Sequence, residues 1–315
     1  MTIETHSPQK FTFSIENAFT DRLEGGNPAA IVRLPSLTTL PDATLQTIAR
    51  NFNQPMTVFI TPLAHCESTV RPSAPGTTMA TAATKARFGI RWFTPEIEVP
   101  LCGHGTLAAA AALFRGTHGA CAEGLTEIRF EATSGKFPVA RKVEENRVEI
   151  ELDSETSEEL SVEEDIELRG VLAKALGKNV PVRYTGRGAG HLRDYALIEV
   201  DTLELKNIKV NTDAFLESAF AVNVVIAPSS IPGVTFESRM FAPSAGVAED
   251  PVCGTAHALA TPYWMIAKNI SESDAVLARQ VSARGGELRI LSDVGERKIK
   301  LVGQVRNVCK GELYI

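Results

Sequence analysis

No stretch of this chain approaches the roughly 18 apolar residues that a membrane-spanning helix needs. The densest apolar run, Leu107–Phe114, is short and alanine-rich, and the opening residues MTIETHSPQKF lack the apolar segment of a secretory leader. Membrane insertion and export are therefore not expected, and a cytoplasmic location is. The five cysteines include no Cys-x-x-Cys pair and no Cys/His spacing of the zinc-binding kind. A disulfide framework and a metal centre are both excluded on that pattern. Charge of one sign is scarce too, with 32 Lys+Arg against 38 Asp+Glu and one acidic run, Glu155–Glu167. A nucleic-acid partner would find no basic surface to neutralise its phosphates.

What the chain has is core material. Its 315 residues, 44% of them apolar, can bury a large interior, and that length favours two domains over one. We place them at 1–127, with an insertion at 64–86 and with or without the C-terminal tail 306–315, and at 128–305. Alternation predicts a strand at Lys10–Asn17, followed by a Gly25-Gly26-Asn27-Pro28 turn and a short strand. Asp42–Arg50 reads as an amphipathic helix, Asn51–Pro55 as a loop, and Thr57–Ile60 and Ile90–Thr94 as strands. The segment 64–86, rich in Ala, Thr, Ser and Pro, reads as a mobile insertion that is either a cover for the site or an idle loop. Helices are expected at Thr106–Arg115 and Val162–Leu176, the latter stopped by Gly177. Strands fill Ile128–Asp153, and the tail predicts further strands at Gln280–Arg284, Glu287–Leu291 and Lys298–Val305.

One phrase occurs twice. Glu98-Val99-Pro100-Leu101-Cys102-Gly103 returns as Glu249-Asp250-Pro251-Val252-Cys253-Gly254. Upstream of each, Arg91-Trp92-Phe93-Thr94-Pro95 is matched by Arg239-Met240-Phe241-Ala242-Pro243. Strand, Pro turn, Cys-Gly corner and helix therefore appear in both halves, as duplication of a domain leaves them.

A cysteine where a helix begins sits among unpaired N–H groups at the positive end of the helix dipole. Those groups favour its thiolate and can also hold a carboxylate. Two such corners facing one carbon from opposite sides would form a two-base racemase, one thiolate taking a proton while the other thiol returns one. Cys102 and Cys253 are the candidate bases. Cys66, Cys121 and Cys309 have no comparable surroundings and are read as structural.

At these residues the chain resembles the phenazine-biosynthesis PhzF-like isomerases, which share the diaminopimelate epimerase fold. The likeness runs from Asn17-Ala18-Phe19-Thr20 and GGNPAA through RWFTPEIEVPLCGHGTLAAA and EDPVCGTAHALATPYW to SARGGELRI. It implies two similar α/β domains, each a curved, mostly antiparallel sheet around a central helix, with the active site in the cleft between them. It also implies a homodimer, a small carboxylate substrate, no cofactor and no metal. His104 resembles the family's substrate-contacting histidine, and Asp250 and Thr255 stand where the family places an aspartate and a Ser/Thr around the ligand. Gly103, Gly105 and Gly254 would let the backbone approach the substrate, and Asn27 and Gln54 are further expected contacts.

Two departures accompany the likeness. The family's general base is a Glu in an Asn-Leu-Ser-Glu loop, matched here by Asn51-Phe52-Asn53-Gln54-Pro55 with an amide in the base's place. Cys253 stands where the phenazine enzymes usually carry Thr, and Leu101-Cys102-Gly103-His104-Gly105 is similar to the first cysteine motif of proline racemases. Three readings stand side by side. The first is a two-cysteine racemase or epimerase acting on the α-carbon of an amino acid or related small carboxylate. The second is a proton-shift or alkene isomerase using Asp250 or His104, and the third a non-catalytic binding protein of the same fold.

Overall fold

A computed structural model describes residues 9–63, 67–68, 84–117, 124–144, 146–293 and 295–315. Cys66, Cys121 and most of the 64–86 insertion lie outside them. The chain divides into two compact units: Met1–Leu23, Pro28–Ile150 and Gln304–Ile315 form the first, and Glu24–Asn27 with Glu151–Gly303 the second.

The first unit is built from β1 (Lys10–Ala18), β2 (Asn27–Arg33), α1 (Asp42–Phe52), β3 (Met56–Pro62), β4 (Glu67–Ser68), β5 (Thr84–Phe93), β6 (Glu98–Val99), α2 (Gly103–Phe114), β7 (Leu125–Ala132), β8 (Val139–Glu144) and most of β9 (Arg147–Asp153). Every residue of α2 is buried. A helix apolar on all sides must lie inside a core, and its run of alanines lets the surrounding strands approach closely. At its C-terminal end Arg115 holds the buried Glu16 of β1 and donates to the Val305 carbonyl at 3.3 Å. The amphipathic α1 buries Leu45, Ile48 and Ala49. It ends at Asn53, whose left-handed backbone (φ 48°) suits asparagine and turns the chain into the Gln54 loop.

The second unit contains β10 (Ser157–Glu159), α3 (Val162–Ala175), β11 (Val182–Gly188), β12 (Tyr195–Val200), β13 (Val222–Pro228), β14 (Phe236–Ala242), β15 (Val247–Asp250), α4 (Gly254–Ala267), β16 (Val276–Gln280), β17 (Gly286–Asp293) and the start of β18 (Lys298–Tyr314). Ser161 and Glu164 cap α3 reciprocally, and Gly177 follows it with φ at +93°. Residues 298–302 of β18 pair with β17, and residues 305–314 pair with β1 of the first unit.

Pairing order makes the duplication explicit. In the first unit β2 and β3 are parallel, β3 and β5 antiparallel, β5 and β7 parallel, and β7–β8 and β8–β9 antiparallel. In the second, β12 and β13 are parallel, β13 and β14 antiparallel, β14 and β16 parallel, and β16–β17 and β17–β18 antiparallel. Helices α2 and α4 occupy the same step of the two series.

Several expectations differ from what is observed: Asn51 and Phe52, expected in a loop, close α1, and Thr84–Ala86, expected in the insertion, begin β5. The break between units falls at 150/151, not at 127/128, because β7 pairs with β5 and carries β8 and β9 with it. The strand expected at Gln280–Arg284 lies instead at Val276–Gln280, and the residues after it use their side chains to hold turns.

Candidate active site

Each Cys-Gly corner is suspended from an arginine. In the first unit Arg91 of β5 grips Glu98 through Nε and Nη2, at 2.7 and 2.6 Å, while Nη1 reaches Asp42 at 2.8 Å. In the second Arg239 of β14 grips Glu249 in the same way, at 2.7 and 2.9 Å, and Nη1 donates to the Ile208 carbonyl. Each guanidinium also lies over the phenylalanine two residues on, Phe93 at 5.0 Å and Phe241 at 5.2 Å. Such bidentate pairs fix direction as well as distance, and here they set the short strands that lead to the cysteines. A serine hydroxyl then takes the proline carbonyl of each turn at 2.7 Å, Ser134 on Pro100 and Ser282 on Pro251.

The helices begin at the cysteines themselves. Cys102 is the N-cap of α2, and its Sγ accepts the Gly105 N–H at 3.4 Å. Cys253 is the N-cap of α4, and its Sγ accepts the Ala256 N–H at the same distance. Both sulfurs are buried among N–H groups that helices leave unpaired.

Around these matched frames the chemistry differs. At the first corner His104 Nδ1 lies 3.3 Å from Cys102 Sγ. Burial drives the imidazole down to about 4, so at neutral pH it serves the sulfur as an uncharged hydrogen-bond partner. Thr106 closes the first turn by donating to the Cys102 carbonyl at 2.7 Å. Gly105 is required by space, since an added Cβ would lie 2.9 Å from Val58 Cγ2 and 3.1 Å from Met56 Cγ. Gln54 lies two residues before Met56, and its Nε2 donates back to the Phe52 carbonyl at 3.2 Å.

At the second corner a carboxylate replaces Val99. Asp250 is buried and pushed up to about 6, chiefly by loss of water and in spite of the hydrogen bond from Asn27. The Cys253 thiol is pushed up to about 12 by burial first and by the Asp250 charge second, while Thr255 and Ala256 pull the other way. The helix end alone would favour a thiolate, but here desolvation outweighs it. His257 stands where Thr106 stands in the first unit, its Nδ1 donating to the Cys253 carbonyl at 2.7 Å and its Nε2 facing Ser238 Oγ at 3.2 Å. Arg284 donates to the carbonyls of Gly25 and Gly26, and so holds the turn that delivers Asn27 to Asp250.

The candidate residues thus fall into two groups, Cys102, Gly103, His104 and Gly105 at one helix start and Asp250, Cys253, Gly254, Thr255 and Asn27 at the other, while Gln54 bonds to its own loop. The arginine clamps were visible as part of the duplicated phrase but not as contacts. His257 and Gln280 carried no sequence signal, because only the fold brings them to the corner. Among the described residues no three His, Cys, Asp or Glu side chains group as metal donors, and no helix is long and apolar enough to cross a membrane.

A duplicated α/β fold with a thiol capping the buried helix of each half defines a narrow class. The chain belongs to the phenazine biosynthesis-like protein family, whose model matches residues 16–311. It is 31% identical to an uncharacterized isomerase of Halalkalibacterium halodurans over 302 residues, covering 96% of this chain and 97% of that one. A crystal structure of a PhzF family protein from Enterococcus faecalis superposes with a TM-score of 0.77 at 27% identity, covering 98% of this chain and all of that one. A hydroxyproline epimerase from Agrobacterium vitis shares the fold, with a TM-score of 0.56 at 12% identity over 98% of this chain and 93% of that one.

Proposed function

We propose that this protein is a cofactor-independent isomerase that inverts the α-carbon of an amino acid or related small carboxylate, with Cys102 and Cys253 as its acid/base pair. The duplicated thiol N-cap, with a backbone N–H 3.4 Å from sulfur in both units, carries this reading. N–H groups at the starts of α2 and α4 are suited to hold the substrate carboxylate as charge spreads onto it during proton removal. The unequal surroundings divide the labour. Cys253, beside Asp250, starts as the thiol that donates, and Cys102 is its partner base. Inversion exchanges their protonation states, and the reverse reaction restores them.

A second reading is favoured by one observation, the buried Asp250 at about 6 next to a thiol at about 12. A carboxyl group held near neutrality is suited to general acid/base work, and Asp250 with His104 would then move a proton along a double bond. Incubation with single enantiomers of amino acids and hydroxy acids, including ones with a β,γ-double bond, in deuterated water separates the two. Loss of optical rotation with deuterium at the α-carbon supports inversion. Turnover that moves a double bond and leaves the stereocentre intact supports the second reading and overturns the first.

A further inference from the structure

Four successive carbonyls at the second thiol corner are each held by a side chain. Gln280 Nε2 donates to Asp250 O at 2.6 Å, Ser282 Oγ to Pro251 O at 2.7 Å, Asn27 Nδ2 to Val252 O at 2.9 Å and His257 Nδ1 to Cys253 O at 2.7 Å. Gln280 does more than the others, for its Oε1 also accepts the Cys253 N–H at 2.9 Å. One amide therefore closes the turn from both ends. At 1% exposure Gln280 is shut away from solvent, so neither bond can be replaced by water.

The first unit supplies an internal control. Gln280 pairs with Ser238, the residue before Arg239, and in the matching register Ala132 pairs with Ile90, the residue before Arg91. Ser134 on Pro100 repeats Ser282 on Pro251. A methyl group at Ala132 thus stands where the second unit has its amide, so this position cannot supply the same two bonds at the first corner.

We propose that Gln280 is a positioning residue that fixes the directions in which the Cys253 thiol and the Asp250 carboxyl leave the backbone. The proposal rests on the reading that Cys253 is a working thiol. Proton transfer tolerates little misplacement of the donor, and the Asp250 carbonyl and Cys253 N–H flank the torsions that swing both side chains. Pro251 fixes one of those torsions, and the Gln280 amide restrains the ends of the turn.

Alkylation of the full-length protein by iodoacetamide, read separately at Cys253 and Cys102 by peptide mass, tests this without any substrate. Gln280→Leu removes both bonds and should change the Cys253 rate roughly tenfold or more, as loss of a buried hydrogen-bond partner implies. The Cys102 rate should stay at its wild-type value. In Gln280→Glu a protonated carboxyl can offer O–H to the Asp250 carbonyl and C=O to the Cys253 N–H, as the amide does, whereas an ionised one cannot. The Cys253 rate should therefore match wild type at low pH and diverge as pH rises, which a side chain that merely fills space would not produce. Should Gln280→Leu fail to fold, the pH series of Gln280→Glu decides alone. Wild-type Cys253 rates in the variants at every pH, or equal changes at both cysteines, overturn the proposal. The expected alkylation pattern without inversion of any tested substrate would overturn the racemase reading while leaving the brace in place.

Discussion

Asn27 directs its side-chain amide at both carboxylate oxygens of Asp250, at 3.0 and 3.2 Å. That contact favours the ionised form, yet burial wins and the group is held at about 6 against an ordinary 3.8. A carboxyl raised in this way contributes stability that is full below about pH 4 and is lost as pH rises through about 6, a change on the order of 3 kcal/mol. Asp250→Asn should abolish this component. Urea denaturation of both proteins should show the variant gaining on wild type by that order between about pH 4 and pH 7. A constant difference would mean that Asp250 is not buried in solution.

His104 and His257 act in the opposite direction. Each is lowered from 6.5 to about 4 by burial. A depressed imidazole contributes stability present above about pH 6.5 and lost as pH falls through about 4, on the order of 3 kcal/mol each. Together they outweigh Asp250, so the protein should lose stability on acidification across that interval. His104→Asn should remove about half of the histidine part of the slope in pH-dependent urea melts.

An added Cβ at Gly105 would meet Val58 and Met56 of β3 and Trp92 of β5 at 2.9, 3.1 and 3.2 Å, so a neighbour would have to shift. Gly105→Ala should destabilise the protein by about 1–3 kcal/mol, the usual range for overpacking, with part of that strain carried into the Cys102 corner. Urea midpoints measure the first effect, and the alkylation rate of Cys102 measures the second.

The paired-thiol reading makes a stereochemical demand. Cys102→Ser and Cys253→Ser should each lose inversion but keep slow α-proton exchange in deuterated water, and with opposite enantiomers. The surviving thiolate can still remove and return a proton on its own face, while a serine hydroxyl is too weak an acid to serve the other. If both variants exchange the same enantiomer, one base per corner is the wrong assignment.

Gln54, expected from the resemblance to stand in the place of a base, carries an amide engaged with its own loop. Gln54→Ala should therefore appear mainly in KM, leaving kcat nearly unchanged. A fall in kcat of several orders of magnitude would place this residue in the chemistry.

Contiguous features were legible in the sequence, and long-range ones were not. The two Cys-Gly phrases, the alanine-rich helix after the first and the amphipathic helix from Asp42 all have short, local causes. The boundary at 150/151 was hidden because Ile128–Asp153 alternates as well on one side of a division as on the other; only the pairing of β7 with β5 decides it. The sequence showed Arg91 and Arg239 as aligned letters, and the fold turns the alignment into two equivalent clamps. Gln280 sits 27 residues beyond the cysteine it braces, beyond any local pattern. The rise of Cys253 to about 12 is likewise not legible there, since the number of waters excluded by a finished core cannot be read from a motif.

Strand β18 carries a consequence for how the chain is made. Residues 10–18 pair with residues 305–314, so β1 waits, with an open edge, for a segment that follows the whole of the second unit. Domain-by-domain folding during synthesis is thus closed to the first unit, although much of it emerges first. Contacts of such large sequence separation form slowly, and an unpaired edge invites the strands of other molecules in the interval. The fold asks its N-terminal half to remain unfinished until its C-terminal half is complete.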